Sequence, residues 1–226
     1  MDETPRTKYG LFIYQNPTPD ILEIGIDEAG KGPMFGRVYA AAVILPKENE
    51  RFNHEDLRDS KKISSTKKIN KIAEYIKKHA QAWAVCYEDE TTIDSINIRQ
   101  ATFRAMHSAV TKVMDQLTMN DKAHLIVDGN DFKPYMYMKN HMLTPLPHTC
   151  YEGGDNKFTA IAAASILAKT ERDKYIMELC ENHPELMVNY SIHTNKGYGT
   201  QKHMEGIHTH GITQWHRRSY GICKNY

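Results

Sequence analysis

Two apolar stretches, Ile21–Ile26 and Tyr39–Leu45, flank the segment Asp27-Glu28-Ala29-Gly30-Lys31-Gly32-Pro33. Runs of this length, bounded by glycine and proline, read as buried strands. The pattern predicts strands over Ile21–Asp27 and Arg37–Leu45, joined as a hairpin through the short turn Gly30-Lys31-Gly32-Pro33. Asp27 and Glu28 then end the first strand, beside glycines that let a backbone come close to another molecule.

The rest of the chain alternates. A helix is expected over Thr66–Ala80, capped by Ser64 or Ser65, with Ile69, Ile72 and Ile76 on one face. Gln81–Cys86 reads as a strand, Ile96 to Leu117 as a long helix, and Ala123–Asp128 as a short buried strand stopped by Gly129. Thr159–Cys180 reads as a helix whose first half is almost all alanine and isoleucine. Glu48–Asp59 is polar and reads as loop. This order predicts an α/β fold with a mixed sheet. Residues 1–20, with Pro5, Pro17 and Pro19, form an N-terminal arm or a short edge strand. Residues 21–226 form one domain, and its last part, from about Tyr190, is expected to pack as a small helical extension over the face of the sheet.

No apolar run approaches the roughly 20 residues of a membrane span, and the first residues lack the basic-then-apolar layout of a secretory signal. Cys86, Cys150, Cys180 and Cys223 are far apart and form no CxxC, which argues against a zinc or redox motif. Reduced thiols in a cytoplasmic or other non-secreted compartment are expected.

The net charge of +1 announces no polyanionic partner, but its distribution is uneven. Lys61–Lys78 carries seven lysines and one glutamate, and His193–Tyr226 carries five Lys or Arg, one Glu and five His. These are either solvated helix faces or a confined phosphate-binding face.

Four acids stand out. Asp27 and Glu28 end one strand, Asp128 ends another, and Asp173 lies on the alanine-rich helix. Such carboxylates cap turns or pair locally, as Asp173 would with Lys169. Brought together, they make a hard-oxygen site for Mg²⁺ or Mn²⁺. Two such ions about 4 Å apart clamp a phosphodiester. Ser165, Lys169 and Asp173, spaced by four, form one polar stripe that is either exposed or turned to a ligand. Gly30-Lys31-Gly32 offers backbone amides and one lysine to a phosphate, without being a P-loop. Tyr198, between two glycines, is placed to stack on a sugar or base, or to serve as a turn tyrosine. His203, His208 and His210 lack a zinc spacing and read as solvent- or phosphate-facing.

Together these segments resemble the type 2 ribonuclease H family, ribonuclease HII. The resemblance is carried by "GIDEAGKGPMFG", "DSKKIS", "IDSINIRQATFRAM", "VDGN", "AIAAASILAKTERD", "NKGYGTQKH" and "HRRSY", in the family's order. It implies a ribonuclease H-like fold with a five-stranded mixed sheet flanked by helices. It implies that Asp27, Glu28, Asp128 and Asp173 are catalytic metal ligands for two Mg²⁺ or Mn²⁺ ions. The implied activity is hydrolysis of the RNA strand in RNA/DNA hybrids and cleavage 5′ of single ribonucleotides in duplex DNA, leaving 5′-phosphate and 3′-hydroxyl ends. Gly30-Lys31-Gly32 falls on the loop that reads the 2′-hydroxyl, Tyr198 on the tyrosine that packs on the deoxyribose at the junction, and Lys61 near the substrate phosphates. A monomer acting on nucleic acid, with no membrane partner, is expected.

The chain departs from the family pattern at Lys31, where arginine is usual, at Arg37, where proline is usual, and at Asn195, where histidine is frequent. The sister group, ribonuclease HIII, shares a "GKG" loop. It normally carries an extra N-terminal domain and a glutamate in place of the last aspartate. Here about 23 residues precede the motif and Asp173 is an aspartate, which favours type 2.

Overall fold

The computed structural model describes residues 4–18, 20–48, 50–118, 121–139 and 141–226. Pro19 and the first three residues of the expected arm lie outside them. The strands are β1 Ile21–Ala29, β2 Val38–Ile44, β3 Ala82–Glu88, β4 Lys122–Asp128, β5 Met136–Lys139, β6 Met142–Pro145 and β7 His148–Tyr151. The helices are α1 Thr66–His79, α2 Glu90–Ile96, α3 Ile98–Met114, α4 Thr159–Asn182, α5 Glu185–Tyr190, α6 Ile192–Asn195 and α7 Gln201–His210. Short 3₁₀ turns cover His54–Asp56, Ser60–Lys62, Gly154–Asn156 and Gly221–Asn225.

Five strands form one sheet in the order β3-β2-β1-β4-β7. The first three are antiparallel, and β4 and β7 run parallel to β1. Helices cover both faces. Ala41, Val43 and Ile126 pack with α1 and α4, while Ala40, Ala42, Leu125 and Val127 pack with α3. A strand covered on both sides needs apolar residues at every position, which is why β2 is an unbroken run. The mixed five-stranded sheet and its flanking helices are as the family resemblance implies; the fifth strand, β7, is not read from the residues themselves.

Helix α4 lies against β1 closely enough that a Cβ on Gly25 would fall 2.2 Å from the Ala160 carbonyl carbon. Glycine on the strand and alanine on the helix are what permit this approach. Helix α1 starts at Ser65, whose hydroxyl accepts from the Lys68 amide, and it buries Ile69, Ile72, Ala73 and Ile76.

Several boundaries differ from the sequence expectation. Strand β1 runs on through Asp27 and Glu28 to Ala29, because antiparallel pairing with β2 continues to Tyr39. The connection to β2 therefore spans residues 30–37 rather than a four-residue turn. The expected long helix breaks at Asn97 (φ +67°), whose side chain caps α3. The C-terminal helices do not cover the sheet face. They gather around Phe35 and the second half of α4, in a core with Ile176, Cys180, Leu186 and Ile207. They sit at the end of the sheet because the 30–37 connection presents Met34 and Phe35 there as apolar anchors.

The arm is tied to the body. Phe12 exchanges backbone hydrogen bonds with Lys157 and Thr159, and Leu11 and Ile13 are buried. The buried Glu23 carboxylate accepts from the Gln15 and Asn16 amides. All four cysteines are free thiols.

Candidate active site

The parallel register pairs Gly25 with Ile126 and Ile26 with Val127. One step further on, Asp27 and Asp128 stand side by side on the face covered by α4. Burial, and the nearby Glu28 and Asp128 charges, push the Asp27 carboxyl well above the usual carboxylate range, against a hydrogen bond from Ser165. Asp128 is held by the Gly154 amide at 2.7 Å. Ser165, one turn-pair before Asp173 on α4, also meets the Ser60 hydroxyl at 3.0 Å.

A cleft of about 400 Å³ opens beside these acids. Glu28, Gly30, Lys31, Gly32, Lys61, Ser165, Lys169, Asp173 and Tyr198 all border it, so the sequence-derived candidates share one opening, with Asp27 and Asp128 adjoining.

Glu28 and Asp173 are each engaged by a lysine, Lys31 Nζ at 2.6 Å and Lys169 Nζ at 2.7 Å. No three of the described His, Cys, Asp or Glu side chains converge as a ready-made metal cage. Crowded carboxylates repel, and here each one turns to a local donor. Two observations still fit a divalent cation. Glu28 Oε2 is buried without a hydrogen-bond partner, and Asp27 carries an electrostatic load that a cation would relieve. The donors are all carboxylate oxygens, the chemistry that Mg²⁺ and Mn²⁺ take.

The glycine loop is held from below. Arg217, fully buried, donates to the carbonyls of Gly30 (2.7 Å), Lys31 (3.1 Å) and Gly36 (2.8 Å). The Tyr220 hydroxyl adds a second bond to the Lys31 carbonyl. In a trans peptide the N–H points opposite to the preceding C=O. With the Gly30 and Lys31 carbonyls drawn to Arg217, the Lys31 and Gly32 amides point away from it, in a loop that borders the cleft. Arg172, also buried, donates to the Phe35 and Lys196 carbonyls. A Cβ on Gly30 (φ +96°) would strike its guanidinium at 2.3 Å.

Tyr198 is 52% exposed, and a Cβ on Gly32 would lie 3.4 Å from its ring. Asn195 has a local role: its amide bridges the Tyr190 carbonyl and the Gly197 amide, closing the turn that presents Tyr198. Arg37 lies between the rings of Tyr87 and Tyr175, 4.1 and 4.3 Å from their centroids. Lys61 is partly buried, which disfavours its charge, but Asp155, Asp59, Asp27 and Asp128 outweigh that and hold its pKa above the ordinary value.

Sequence reasoning missed Arg172, Arg217, Asp59 and Asp155. All four lie within the recognised segments or next to them, but nothing in their spacing distinguishes them from surface charges. His203 departs from expectation: it is fully buried, whereas His208 and His210 are exposed.

The fold is shared with solved ribonucleases H. A ribonuclease H2 from Pyrococcus horikoshii matches with a TM-score of 0.69 at 19% identity, over 90% of this chain and 96% of that one. A ribonuclease HIII (Bst) in complex with Mn²⁺ matches with a TM-score of 0.62 at 14% identity, over 85% and 71%. These likenesses establish a ribonuclease H-like fold. The family model for ribonuclease HII matches residues 24–223. Curated ribonucleases HII from Parabacteroides distasonis and Bacteroides thetaiotaomicron are 46% and 45% identical, covering 89% and 94% of this chain and 90% and 94% of their own lengths. The chain belongs to the ribonuclease HII family and is a ribonuclease H enzyme. Among the described residues, no helix is long and apolar enough to cross a membrane.

Proposed function

We propose that this chain is a divalent-metal-dependent endonuclease that cuts the RNA strand of RNA/DNA hybrids and cuts 5′ of single ribonucleotides in duplex DNA. The observation that carries the finer half is the anchoring of the Gly30 and Lys31 carbonyls on buried Arg217, beside Glu28 in the same cleft, which leaves the Lys31 and Gly32 amides pointing away from Arg217. Backbone amides suit a 2′-hydroxyl, the group that separates RNA from DNA.

Asp27, Glu28, Asp128 and Asp173 would hold two Mg²⁺ or Mn²⁺ ions. When bound, these supply an activated water and offset charge on the leaving 3′-oxygen, so that the products carry 5′-phosphate and 3′-hydroxyl ends. Lys61 and Lys169 place positive charge on the cleft wall for the flanking phosphates. Were Glu28 and Asp173 to hold a cation, Lys31 and Lys169, which now pair with them, would be free to face the phosphates. Tyr198 offers its exposed face to the sugar next to the ribonucleotide. Lys31 keeps the charge of the more usual arginine without its planar fork. We place the enzyme as a monomer in a non-secreted compartment.

Two labelled duplexes test this, one with a single ribonucleotide and one a continuous hybrid, each with Mg²⁺, Mn²⁺ or chelator. Metal-dependent cutting of both, with 5′ incision at the lone ribonucleotide, is expected. Cutting of the hybrid alone would overturn the junction role, and no metal-dependent cutting would overturn the assignment. Monomeric mass by light scattering completes the test.

A further inference from the structure

Behind Tyr198 lies a buried chain of hydrogen bonds that the proposed chemistry does not use. His203 Nδ1 meets the Tyr198 carbonyl at 2.9 Å. His203 Nε2 meets His216 Nε2 at 3.1 Å. The Thr213 amide donates to His216 Nδ1 at 2.9 Å. Both rings are buried.

These contacts leave one arrangement of protons. A carbonyl only accepts, so His203 Nδ1 carries a hydrogen. A backbone N–H only donates, so His216 Nδ1 is a bare acceptor, to which the Thr213 hydroxyl at 2.9 Å also donates, and its proton sits on Nε2. That proton points at His203 Nε2, which must then be bare as well. Adding a proton to either ring sets two N–H groups against each other, so the pair is compatible only with two neutral histidines. Phe35 and Tyr190 pack on both rings. Tyr190 is the titratable neighbour; its hydroxyl donates to the Gly211 carbonyl at 3.1 Å and burial raises its pKa. Beyond it, the His210 ring stands 6.2 Å from Tyr190.

We propose that His203 and His216 are positioning residues for Tyr198, a neutral pair locked in one tautomer that sets discrimination between a lone ribonucleotide in DNA and a continuous hybrid. This rests on the junction role given to Tyr198 above. The Tyr198 carbonyl takes a second bond from the Thr200 amide, and Asn195 closes the turn on its other side. The ring therefore stands on a backbone fixed from three directions, one of which runs through the histidine pair to Thr213. His216 also precedes Arg217, so one segment holds both the glycine loop and the tyrosine.

The test compares kcat/KM on the two duplexes for wild type, His203→Leu, His203→Asn and Tyr198→Ala. His203→Leu removes a buried donor, and the single-ribonucleotide to hybrid ratio should fall by about tenfold. His203→Asn can place an amide N–H where Nδ1 stood and should keep the ratio within about twofold. Nitrogen-15 spectra of the histidines should show His203 protonated at Nδ1 and His216 at Nε2, both neutral from pH 7.5 to about pH 5. A ratio lost in Tyr198→Ala but kept in His203→Leu would overturn the positioning role alone. A ratio kept in Tyr198→Ala would overturn the junction reading and this inference with it. Either ring in the other tautomer would also overturn the inference, whatever the kinetics.

Discussion

Arg217 donates to the Gly30 carbonyl at 2.7 Å from a fully buried position, and no carboxylate among the described residues forms an ion pair with it. Its charge is met by backbone carbonyls of the glycine loop. Arg217→Met removes three such bonds and leaves buried carbonyls without donors. The variant is expected to lose about 3 kcal/mol of stability, measured by urea unfolding. Cleavage at a lone ribonucleotide should fall more than cleavage of a hybrid, because the loop amides lose their fixed direction.

Gly25 lies directly against the backbone of Ala160 and Ile161 on α4. Gly25→Ala would put a methyl group onto backbone, which cannot swing away as a side chain can. A loss of about 3 kcal/mol or more is expected in chemical denaturation. Glycine at 129 is a contrast in kind: its φ is +97° and nothing stands within 4 Å of an added Cβ, so strain there would be conformational rather than steric.

Asp128→Asn keeps the shape of the side chain and its bond from Gly154 while removing a charge beside Asp27. Turnover should fall by roughly a hundredfold or more, while affinity for a hybrid duplex, measured by fluorescence anisotropy, should hold or rise because repulsion of the phosphates is reduced. Normal turnover would remove Asp128 from the ligand set.

A divalent cation should stabilise the protein. The Asp27 carboxyl titrates above its unfolded value, so without a cation its ionisation opposes folding at neutral pH. Saturating Mg²⁺ or Mn²⁺ should raise Tm by about 5 °C, and chelator should reverse this. In Asp27→Asn the increment should shrink markedly in the same scanning calorimetry.

Acid should weaken the fold through the histidine pair. Burial, with His203 alongside, pulls the His216 pKa down to about 3, and burial lowers His203. The unfolded chain binds these protons below about pH 6.5, whereas the folded chain does not. Stability is therefore intact above that value and falls as pH drops toward the folded pKa. Between pH 6 and 5 the loss from His216 is on the order of 1 kcal/mol. Urea unfolding at these two pH values should show a smaller drop in His216→Gln than in wild type.

Sequence alone was sufficient for the family and for the first four strands and the main helices, but β5, β6 and β7 carried no legible pattern. Apolar periodicity reports burial directly, so β2, α1 and the alanine-rich start of α4 were legible. The order of short motifs pointed to the four acids as candidates. What periodicity cannot report is direction and company. Arg217 and Lys31 are 186 positions apart, and only folding reveals that one holds the other's carbonyl. His203 reads as a surface histidine on a polar helix until Phe35, Tyr190 and His216 close over it. Strand register was likewise undecided by the sequence, and it is register that sets Asp27 beside Asp128. A local pattern records which residues are hidden from water. Which groups meet once hidden depends on how distant segments pack, and that was decided by the tertiary structure.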